Sequence, residues 1–364
     1  MPDLATPAPP PLRWDIFCRV IDNHGDLGVC WRLAADLAER GHQVRLWLDD
    51  ARALAWVAPV RPAGVEVVAW SDPAPDHAPG DVVIEAFGCN PHDSFLARMA
   101  AAAKAPVWVN LEYLSAEDYV AHSHRLASPQ WHGPAQGLTK WFFFPGFTPD
   151  TGGLLREPDL LQRLAEVDAD SFLARLDITP QPGERLVSVF CYANAALAEL
   201  PACLADAPTL ILATPGTATE QLAALPMPRK VRVQALPWLS QPDYDHLLRA
   251  CALNFVRGED SFVRAQWAAK PFVWQIYPQH DGVHAGKLDA FLQRHLAGAD
   301  PALSQQVQAW MLAWNGLAAR GQPALPMCLA GLDSWQDHAL VWRDHLHSQR
   351  DLTSQLLDFV SEKR

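Results

Sequence analysis

The most informative stretch of the chain is IDNHGDLG, residues 21–28. It follows an apolar run at residues 16–21 and precedes a helical pattern that begins near Val29 and ends before Gly41. A strand, a tight glycine turn and a helix at the start of the first folded unit predict the opening of a doubly wound α/β sheet. In such a sheet the turn lies at the carboxyl edge of the strands, where ligands bind.

The turn carries two carboxylates, Asp22 and Asp26, four residues apart. Two anions would repel a diphosphate, so we expect the pair to receive a cation or to take up a proton. A purely structural alternative is that Asp22 or Asn23 caps the turn and that Asp26 is a helix N-cap, a position that aspartate favours. That alternative explains one acid easily, but not two acids beside a glycine turn. We therefore favour a base or a cation-orienting pair that faces a cleft.

The composition is that of a folded protein with two domains. At 364 residues the chain is too long for one ordinary hydrophobic core. Hydrophobic residues make up 49% and charged residues 19%, which is typical of globular domains rather than disordered ones. The formal net charge of -12 argues against a general nucleic-acid binder, because such a protein needs a basic face to neutralise phosphates.

Cysteine usage and hydropathy predict a cytoplasmic protein. The seven cysteines include no Cys-x-x-Cys pair, and most lie in apolar runs, where a free cysteine behaves as a small buried hydrophobic residue. We expect them to be reduced, as in cytosolic proteins. No apolar stretch approaches the roughly 20 residues that span a bilayer, so no membrane partner is expected. The proline-rich residues 2–11 lack an apolar signal core and predict a loose tail.

The first half of the chain alternates short apolar runs with helical patterns. Strands are predicted at 15–21, Gln43–Leu48, Val65–Ala69, 82–85 and Val107–Leu111, and helices at 29–40 and 93–103. This alternation with short connections predicts a mainly parallel sheet. An aromatic, glycine-rich segment at 131–153 is expected to hold a last strand that runs into an irregular loop. A helix is predicted at 158–176, and residues 179–183, TPQPG, are the best linker candidate.

After the linker the same alternation begins again. Strands are predicted at 186–191, Thr209–Ala213, Val231–Ala235, 253–256 and Phe272–Gln275, and helices at 195–205, 244–250 and 261–268. Residues 302–364 have a largely helical pattern. The sequence therefore predicts two Rossmann-like domains that face each other across a cleft, at 1–178 and 184–345. A C-terminal helix at 346–364 is expected to pack back on the first domain.

A second strand, turn and helix occur at residues 256–261, VRGEDS. Ser261 is well placed as the N-cap, and the amino end of the helix offers N–H groups and a positive dipole to a phosphate. Glu259 and Asp260 suit the hydroxyls of a ribose or of another sugar. The structural alternative here is an acidic capping turn that binds no ligand.

Aromatic residues follow several strands of the second half. Phe190 and Tyr192 end the strand after the linker and point to the same face, while Trp238 and Tyr277 follow later strands. Aromatic rings at the carboxyl ends of parallel strands can stack on a base, and Gln241 can hydrogen-bond to its edge. Each of these residues alone is as readily explained by the core or the rim. Together they predict a nucleotide site in the second half.

Metal and cofactor sites are not expected. His122 and His124 have no third ligand in local reach, and a scattered histidine is more often a surface or core residue than a zinc ligand. Asp49 and Asp50 suggest the acidic metal motif of some sugar transferases, but their spacing is wrong for it.

Two of these segments together resemble a known family. IDNHGDLGVCWRLA at 21–34, combined with RGEDS at 257–261, is similar to the bacterial protein-arginine rhamnosyltransferase family EarP, whose members modify an arginine of translation elongation factor P. The resemblance extends from about Trp14 to the C-terminal helices. It implies a GT-B fold and the transfer of L-rhamnose from dTDP-β-L-rhamnose to a guanidinium nitrogen, with inversion at the anomeric carbon and without a metal. The implied partners are elongation factor P, on the first domain, and the donor nucleotide sugar, on the second.

The resemblance also assigns roles to individual residues. Asp26 matches the general base of the family, Asp22 its companion acid, and Glu259 an essential acid of the donor side. The residues that match donor contacts are Phe190, Tyr192, Trp238, Gln241, Asp260, Ser261 and Tyr277. Among these, Asp260 and Ser261 match contacts to the diphosphate and sugar, and Trp238 lies where the family has an aromatic ring on thymine.

Two other functions stay open at this point. One is a GT-B glycosyltransferase that acts on a glycan or on a lipid-linked hydroxyl. Such an enzyme tends to carry a basic or amphipathic membrane-facing patch, and none is evident in this acidic chain. The other is a nucleotide-binding regulator without turnover, which would bind dTDP but would not release it from dTDP-rhamnose when elongation factor P is added.

Overall fold

The computed structural model describes residues 10–22, 24–71, 75–278, 282–318, 325–326 and 331–364. Asn23, Cys328 and most of the predicted tail at 2–11 lie outside these residues. The described chain forms two α/β units, each built on a sheet of mainly parallel strands. The predicted α/β class is therefore confirmed.

The first sheet has seven strands. They are β1 (Arg13–Cys18), β2 (Gln43–Leu48), β3 (Val65–Ala69), β4 (Val82–Ala86), β5 (Val107–Leu111), β6 (Ala127–Pro129) and β7 (Thr139–Phe143). Their order is β3-β2-β1-β4-β5-β7-β6, and neighbouring strands are parallel except for β6 with β7. The helices of this unit are α1 (Gly25–Glu39), α2 (Leu54–Val57), α3 (Asp93–Ala101) and α4 (Tyr119–Ser123).

The second sheet has five parallel strands. They are β8 (Arg185–Val189), β9 (Thr209–Ala213), β10 (Val231–Ala235), β11 (Leu253–Arg257) and β12 (Phe272–Gln275), in the order β10-β9-β8-β11-β12. The remaining helices are α5 (Leu160–Ala165), α6 (Ala169–Arg175), α7 (Leu200–Cys203), α8 (Thr217–Ala223), α9 (Gln241–Ala250), α10 (Asp260–Ala268), α11 (Val283–His295), α12 (Pro301–Trp314), α13 (Leu332–His347) and α14 (Leu352–Lys363), with a 3₁₀ turn at Ala195–Ala198.

The chain crosses between the units twice: α6 already packs on the second sheet, and α14 returns to the first. Leu356 and Phe359 of α14 lie in the core of the first sheet, with the strands β1 and β4. Conversely, Phe172 and Leu173 of α6, which precede the predicted linker, pack against Leu210 in the second sheet. In the part of the chain that the structure describes, no helix has the length and apolar character needed to cross a membrane.

Strand order fixes where a ligand site can form. In the first sheet the order reverses between β1 and β4, and in the second it reverses between β8 and β11. A crevice opens at such a reversal, at the carboxyl ends of the strands. The turns after β1, β8 and β11 therefore lie at the two positions where an open α/β sheet binds ligands.

Several element boundaries differ from the sequence prediction, and the largest differences are at these turns. β1 ends at Cys18 rather than residue 21, because the N–H groups of Ile21 and Asp22 bond to the side chain of Asp26 instead of a strand. α1 begins at Gly25 with His24 as its N-cap, so the interpretation of Asp26 as an N-cap is wrong. The helix predicted at 158–176 is two helices, α5 and α6.

Candidate active site

Two acidic turns face each other across the cleft between the sheets. The turn after β1 carries Asp22 and Asp26, and the turn after β11 carries Glu259 and Asp260. The first of these turns is tied to the second unit, because the hydroxyl of Tyr192, from the loop after β8, donates a 2.5 Å hydrogen bond to Asp22 Oδ2. The chain thus brings an acid of the first unit into contact with an aromatic residue of the second.

Two adjoining cavities occupy this cleft and share Asp22 and Gly25 in their walls. The donor-side cavity has about 730 Å³ of empty volume and is lined by Phe190, Trp238, Gln241, Asp260 and Ser261, among others. The acid-side cavity has about 1030 Å³ and is lined by Asp26, Tyr113, Glu259, Phe262 and Tyr277, among others. Every residue that the sequence assigns to the site lines one of the two cavities or, as Tyr192 does, contacts a residue that lines both. Their individual roles remain predictions.

Asp26 is held rigidly in the first turn of α1. Its Oδ2 accepts hydrogen bonds of 2.9 Å from the N–H groups of Ile21 and Asp22. Its Oδ1 accepts one bond, of 3.2 Å, from the hydroxyl of Tyr113. The carboxylate is buried, and one oxygen anchors the turn. The other oxygen has Tyr113 as its single donor among the described residues, on the side of the acid-side cavity.

Asp22 lies between the two units. Burial raises the pKa of Asp22, and the hydrogen bond from Tyr192 and the charge of Arg257 oppose that rise. Its second oxygen, Oδ1, is buried and has no hydrogen-bond partner among the described residues. A buried carboxylate oxygen without a donor is costly, and a guanidinium would supply donors in the plane that a carboxylate prefers.

The contact between Asp22 and Tyr192 depends on Gly258. This glycine has a φ of +61°, and a Cβ added to it would lie 2.6 Å from Asp22 Oδ2 and 2.9 Å from the hydroxyl of Tyr192. An alanine would therefore force the two groups apart and misplace Asp22. We expect Gly258→Ala to lower kcat for the transfer reaction on the order of 10²-fold, since a misplacement of about 1 Å can have that effect.

Gly88→Ala is the matched control for backbone strain. Gly88 has a similar φ of +68°, but an added Cβ would meet no atom within 4 Å. If the two variants lost activity equally in steady-state kinetics, strain alone would account for the loss and the contact at Asp22 would be irrelevant.

Glu259 is a buried acid of the site whose pKa is strongly raised. Burial raises the pKa of Glu259 to about 8, while a 3.0 Å hydrogen bond from the Leu114 N–H opposes the rise. Near neutral pH the side chain is therefore mostly protonated, and it can donate a hydrogen bond from its hydroxyl.

The raised pKa predicts a pH dependence of stability. The folded state holds this proton up to about pH 8, whereas the unfolded chain releases it near 4.5. Ionising Glu259 in the folded state is therefore unfavourable, and its contribution lowers the free energy of unfolding as pH rises between these two values. Glu259→Gln stays neutral, so we expect the melting temperature of this variant to rise relative to that of the parent protein as the pH increases from 5 to 9. Calorimetry at several pH values tests this, and parallel curves would contradict it.

The donor-side aromatic pair holds an arginine that the sequence analysis did not assign. The guanidinium carbon of Arg257 lies 4.3 Å from the ring centre of Phe190 and 4.5 Å from that of Tyr192. Cation–π contacts of this kind hold a charge in place without neutralising it. Arg257 is the last residue of β11 and lines the donor-side cavity, so a positive charge is available there for a phosphate. The position of Arg257 at the end of a strand is the feature of the sequence that could have indicated its place in the site.

The remaining donor-side residues have distinct positions. Trp238 and Tyr277 are 49% and 43% exposed, which leaves ring surface free for stacking. Gln241 is buried at the start of α9 and donates a 3.0 Å bond to the Gly28 carbonyl across the cleft. Its amide is therefore engaged with the first unit rather than turned to a base edge.

Asp260 and Ser261 differ from their predicted arrangement. The N-cap of α10 is Glu259, and Ser261 lies inside the helix, so the prediction that Ser261 is the N-cap is wrong. Its hydroxyl instead accepts from the Arg257 N–H and donates to the Arg257 carbonyl, which closes the turn locally. Asp260 accepts a 2.7 Å bond from Arg32 of α1. Burial raises the pKa of Asp260, and Arg32 opposes that rise.

No group of three or more histidine, cysteine, aspartate or glutamate side chains is arranged to hold a metal ion within the described ranges.

Two side chains that were not predicted from the sequence also reach the site, Tyr113 and Arg32. Tyr113 follows β5 at the same carboxyl edge, a position that could have indicated it. Arg32 lies inside the quoted motif, but its hydrogen-bond partners Asp245 and Asp260 are more than 200 residues away.

Comparison with known proteins identifies the family. The family model described as Elongation-Factor P (EF-P) rhamnosyltransferase EarP matches residues 14–361. A protein-arginine rhamnosyltransferase of Pseudomonas aeruginosa is 42% identical over 379 residues, which cover 96% of this chain and 99% of that protein. A protein-arginine rhamnosyltransferase of Pseudomonas putida is also 42% identical, and the match covers 95% and 98% of the two chains.

Solved structures agree. A structure described as the structural basis for EarP-mediated arginine glycosylation of translation elongation factor EF-P has a TM-score of 0.67 and 30% identity, covering 97% of this chain and all of the other. The spinosyn forosaminyltransferase SpnP, at 13% identity and a TM-score of 0.52 over 97% of this chain and all of the other, shares the fold. The predicted GT-B fold is thus confirmed. The match over residues 14–361 shows that this chain belongs to the EF-P rhamnosyltransferase EarP family.

Proposed function

We propose that the protein moves L-rhamnose from dTDP-β-L-rhamnose to an arginine side chain of translation elongation factor P, with inversion at the anomeric carbon. The single observation that carries the proposal is the contact of the acid turn with the donor side, the bond from Tyr192 to Asp22. It places a pair of acids beside a cavity with an ordered cation, Arg257. Such a site suits a cationic acceptor and an anionic donor that meet in the cleft.

The acceptor is a difficult nucleophile, because a guanidinium stays protonated to above about pH 12. A single aspartate does not deprotonate it in advance. In the proposed mechanism Asp22 and Asp26 hold the planar cation and turn one nitrogen towards the anomeric carbon. The free Oδ1 of Asp22 and the cavity-facing Oδ1 of Asp26 are the oxygens available for this.

Transfer then occurs in one displacement. A bond forms between the guanidinium nitrogen and the anomeric carbon as the bond from that carbon to the phosphate oxygen breaks. The attacking nitrogen becomes acidic in the transition state, and Asp26 takes its proton. The electron pair of the broken bond leaves with dTDP. Because the nitrogen attacks from the face opposite the leaving group, the configuration at the anomeric carbon inverts.

The donor side would stabilise the leaving group. Arg257 supplies a fixed positive charge, and the amino end of α10 supplies N–H groups near Asp260 and Ser261. With that charge available, the proposal includes no metal ion and no other cofactor. Trp238 would stack on thymine, and Glu259, protonated near neutral pH, would donate a hydrogen bond to the sugar or to the acceptor.

Acceptor and compartment follow from the same proposal. Residues 1–178 would bind elongation factor P, because they carry the acid turn, and residues 184–345 would bind the donor. A translation factor as acceptor would place the reaction in the cytoplasm, where translation takes place.

A turnover assay tests the proposed function. Release of dTDP from dTDP-rhamnose is followed with elongation factor P, without it, and with an elongation factor P whose acceptor arginine is replaced by lysine. We expect dTDP release to require the arginine-containing factor. Binding of dTDP without factor-dependent release would instead support the nucleotide-binding regulator, and release driven by a glycan or lipid-linked hydroxyl would support the other glycosyltransferase.

A further inference from the structure

The donor-side cavity has a wall that belongs to the first unit. His24, Trp56 and Val57 line it opposite Trp238 and Phe190. The rings of Trp56 and Trp238 are 4.7 Å apart between centroids and inclined by 37°. The edge of the His24 ring contacts both, at 5.6 Å and 5.5 Å. Three aromatic rings, two from one unit and one from the other, therefore meet at the place where a base is expected.

Trp56 is held in position by its own short helix. Leu54 and Val57, on either side of it in α2, are buried in the core of the first sheet. Trp56 itself is only partly buried: it packs against that core, and its indole also contacts Trp238 across the cleft. The anchored helix thus presents a large apolar ring to the cavity.

We propose that Trp56 is a second aromatic wall of the nucleobase subsite, supplied by the unit opposite Trp238. The proposal rests on the proposed function, because it takes the base of the donor as the ligand. In the structure the two indoles cover each other. A base that enters between them replaces one ring–ring contact by two ring–base contacts, and aromatic stacking on bases contributes substantially to nucleotide binding.

A base in this subsite would also affect the acid turn. His24 contacts both indoles and is also the N-cap of α1, between Asp22 and Asp26. A base held between Trp56 and Trp238 would therefore press on the segment that carries the acid pair. Donor binding and the position of the acids would be linked through this ring.

Titration calorimetry with dTDP alone tests the proposal. We expect Trp56→Ala to raise the Kd for dTDP about tenfold, which corresponds to about 1.4 kcal/mol, and Trp56→Phe to stay within about threefold of the parent protein. Inorganic pyrophosphate, which has no base, should bind all three proteins equally. Trp131→Ala is the matched control, because that indole is 78% exposed and lines neither cavity.

The outcomes are distinguishable. If Trp56→Ala bound dTDP as tightly as the parent protein, Trp56 would make no favourable contact with the base, and tighter binding would mean that Trp56 obstructs the subsite. Either result would overturn the proposal. An equal loss for dTDP and pyrophosphate would also overturn it, since the effect would not involve the base. If the parent protein did not bind dTDP at all, the proposed donor itself would be wrong, whatever Trp56 does.

Discussion

Asp26→Asn is expected to lower kcat for arginine rhamnosylation by about 10²–10⁴-fold, the range that a general base contributes. The side chain keeps its shape, and the amide oxygen can still accept from the N–H groups of Ile21 and Asp22, as Oδ2 of the parent protein does. The amide nitrogen would then face Tyr113 and the acid-side cavity, where it has no capacity to take a proton. The turn should stay intact while the reaction stops.

Binding and turnover must be measured on the same preparation. We expect Asp26→Asn to bind dTDP with a Kd within about threefold of the parent value, because the donor-side cavity does not include this side chain. Asp49→Asn is the matched control. Asp49 accepts a 2.9 Å bond from the Val20 N–H beside the same turn but lines neither cavity. Near-normal kcat in Asp26→Asn with dTDP still bound would remove Asp26 from the role of base.

Arg32→Met is expected to lower the free energy of unfolding by about 3–5 kcal/mol, the range for breaking a buried ion pair from one side. Arg32 extends from α1 into the second unit, where it makes bonds of 3.1 and 3.0 Å to Asp245 and of 2.7 Å to Asp260. Arg264 binds the same Asp245 and also Glu157, so two cations and three acids share one buried cluster.

The cluster explains why loss of Arg32 should be severe. Although burial opposes ionisation, Arg264 and then Arg32 lower the pKa of Glu157 to about 2. With methionine at position 32, the three acids would keep only one buried guanidinium, that of Arg264, besides the partly exposed Arg163 at 3.8 Å from Glu157. The units would also lose a bridge between α1, which carries Asp26, and α10, which begins at Asp260.

Urea denaturation measures this effect. The urea midpoint of Arg32→Lys should lie between those of the parent protein and Arg32→Met, because one ammonium cannot make the bidentate contact to Asp245. Arg52→Met is the surface control, since Arg52 is exposed and its partner Asp50 is a local one, and its urea midpoint should not change measurably. An unchanged midpoint in Arg32→Met would show that the cluster does not hold the units together.

The regular parts of the fold were predictable from short-range pattern. The strands Gln43–Leu48, Val65–Ala69, Val107–Leu111, Thr209–Ala213 and Val231–Ala235 were predicted with the bounds that the structure has. In each of these segments of five or six residues the apolar residues are in the majority, so local sequence contains the needed information. The predicted helix at 158–176 failed because residues between Leu160–Ala165 and Ala169–Arg175 form a turn in which Asp168 caps the second helix.

The site was less predictable, because its contacts join distant segments. The sequence placed Asp22, Asp26 and Glu259 at strand ends, but only the fold brings Tyr192 to Asp22 and Leu114 to Glu259. The strand that was predicted to reach residue 21 ends at Cys18, and the N–H groups of Ile21 and Asp22 bind the carboxylate of Asp26, a contact that no periodicity records. Trp56 gave no signal at all, since it lies in a short helix that matches no motif.

The central claim is that the acid turn serves an arginine acceptor. Peptide-level tandem mass spectrometry of unmodified elongation factor P, incubated with this protein and dTDP-β-L-rhamnose, tests it most directly. We expect a deoxyhexose on one arginine side chain, dependent on dTDP-rhamnose and absent with Asp26→Asn. An elongation factor P that stays unmodified while the protein binds dTDP, or a sugar found on a hydroxyl side chain, would contradict it.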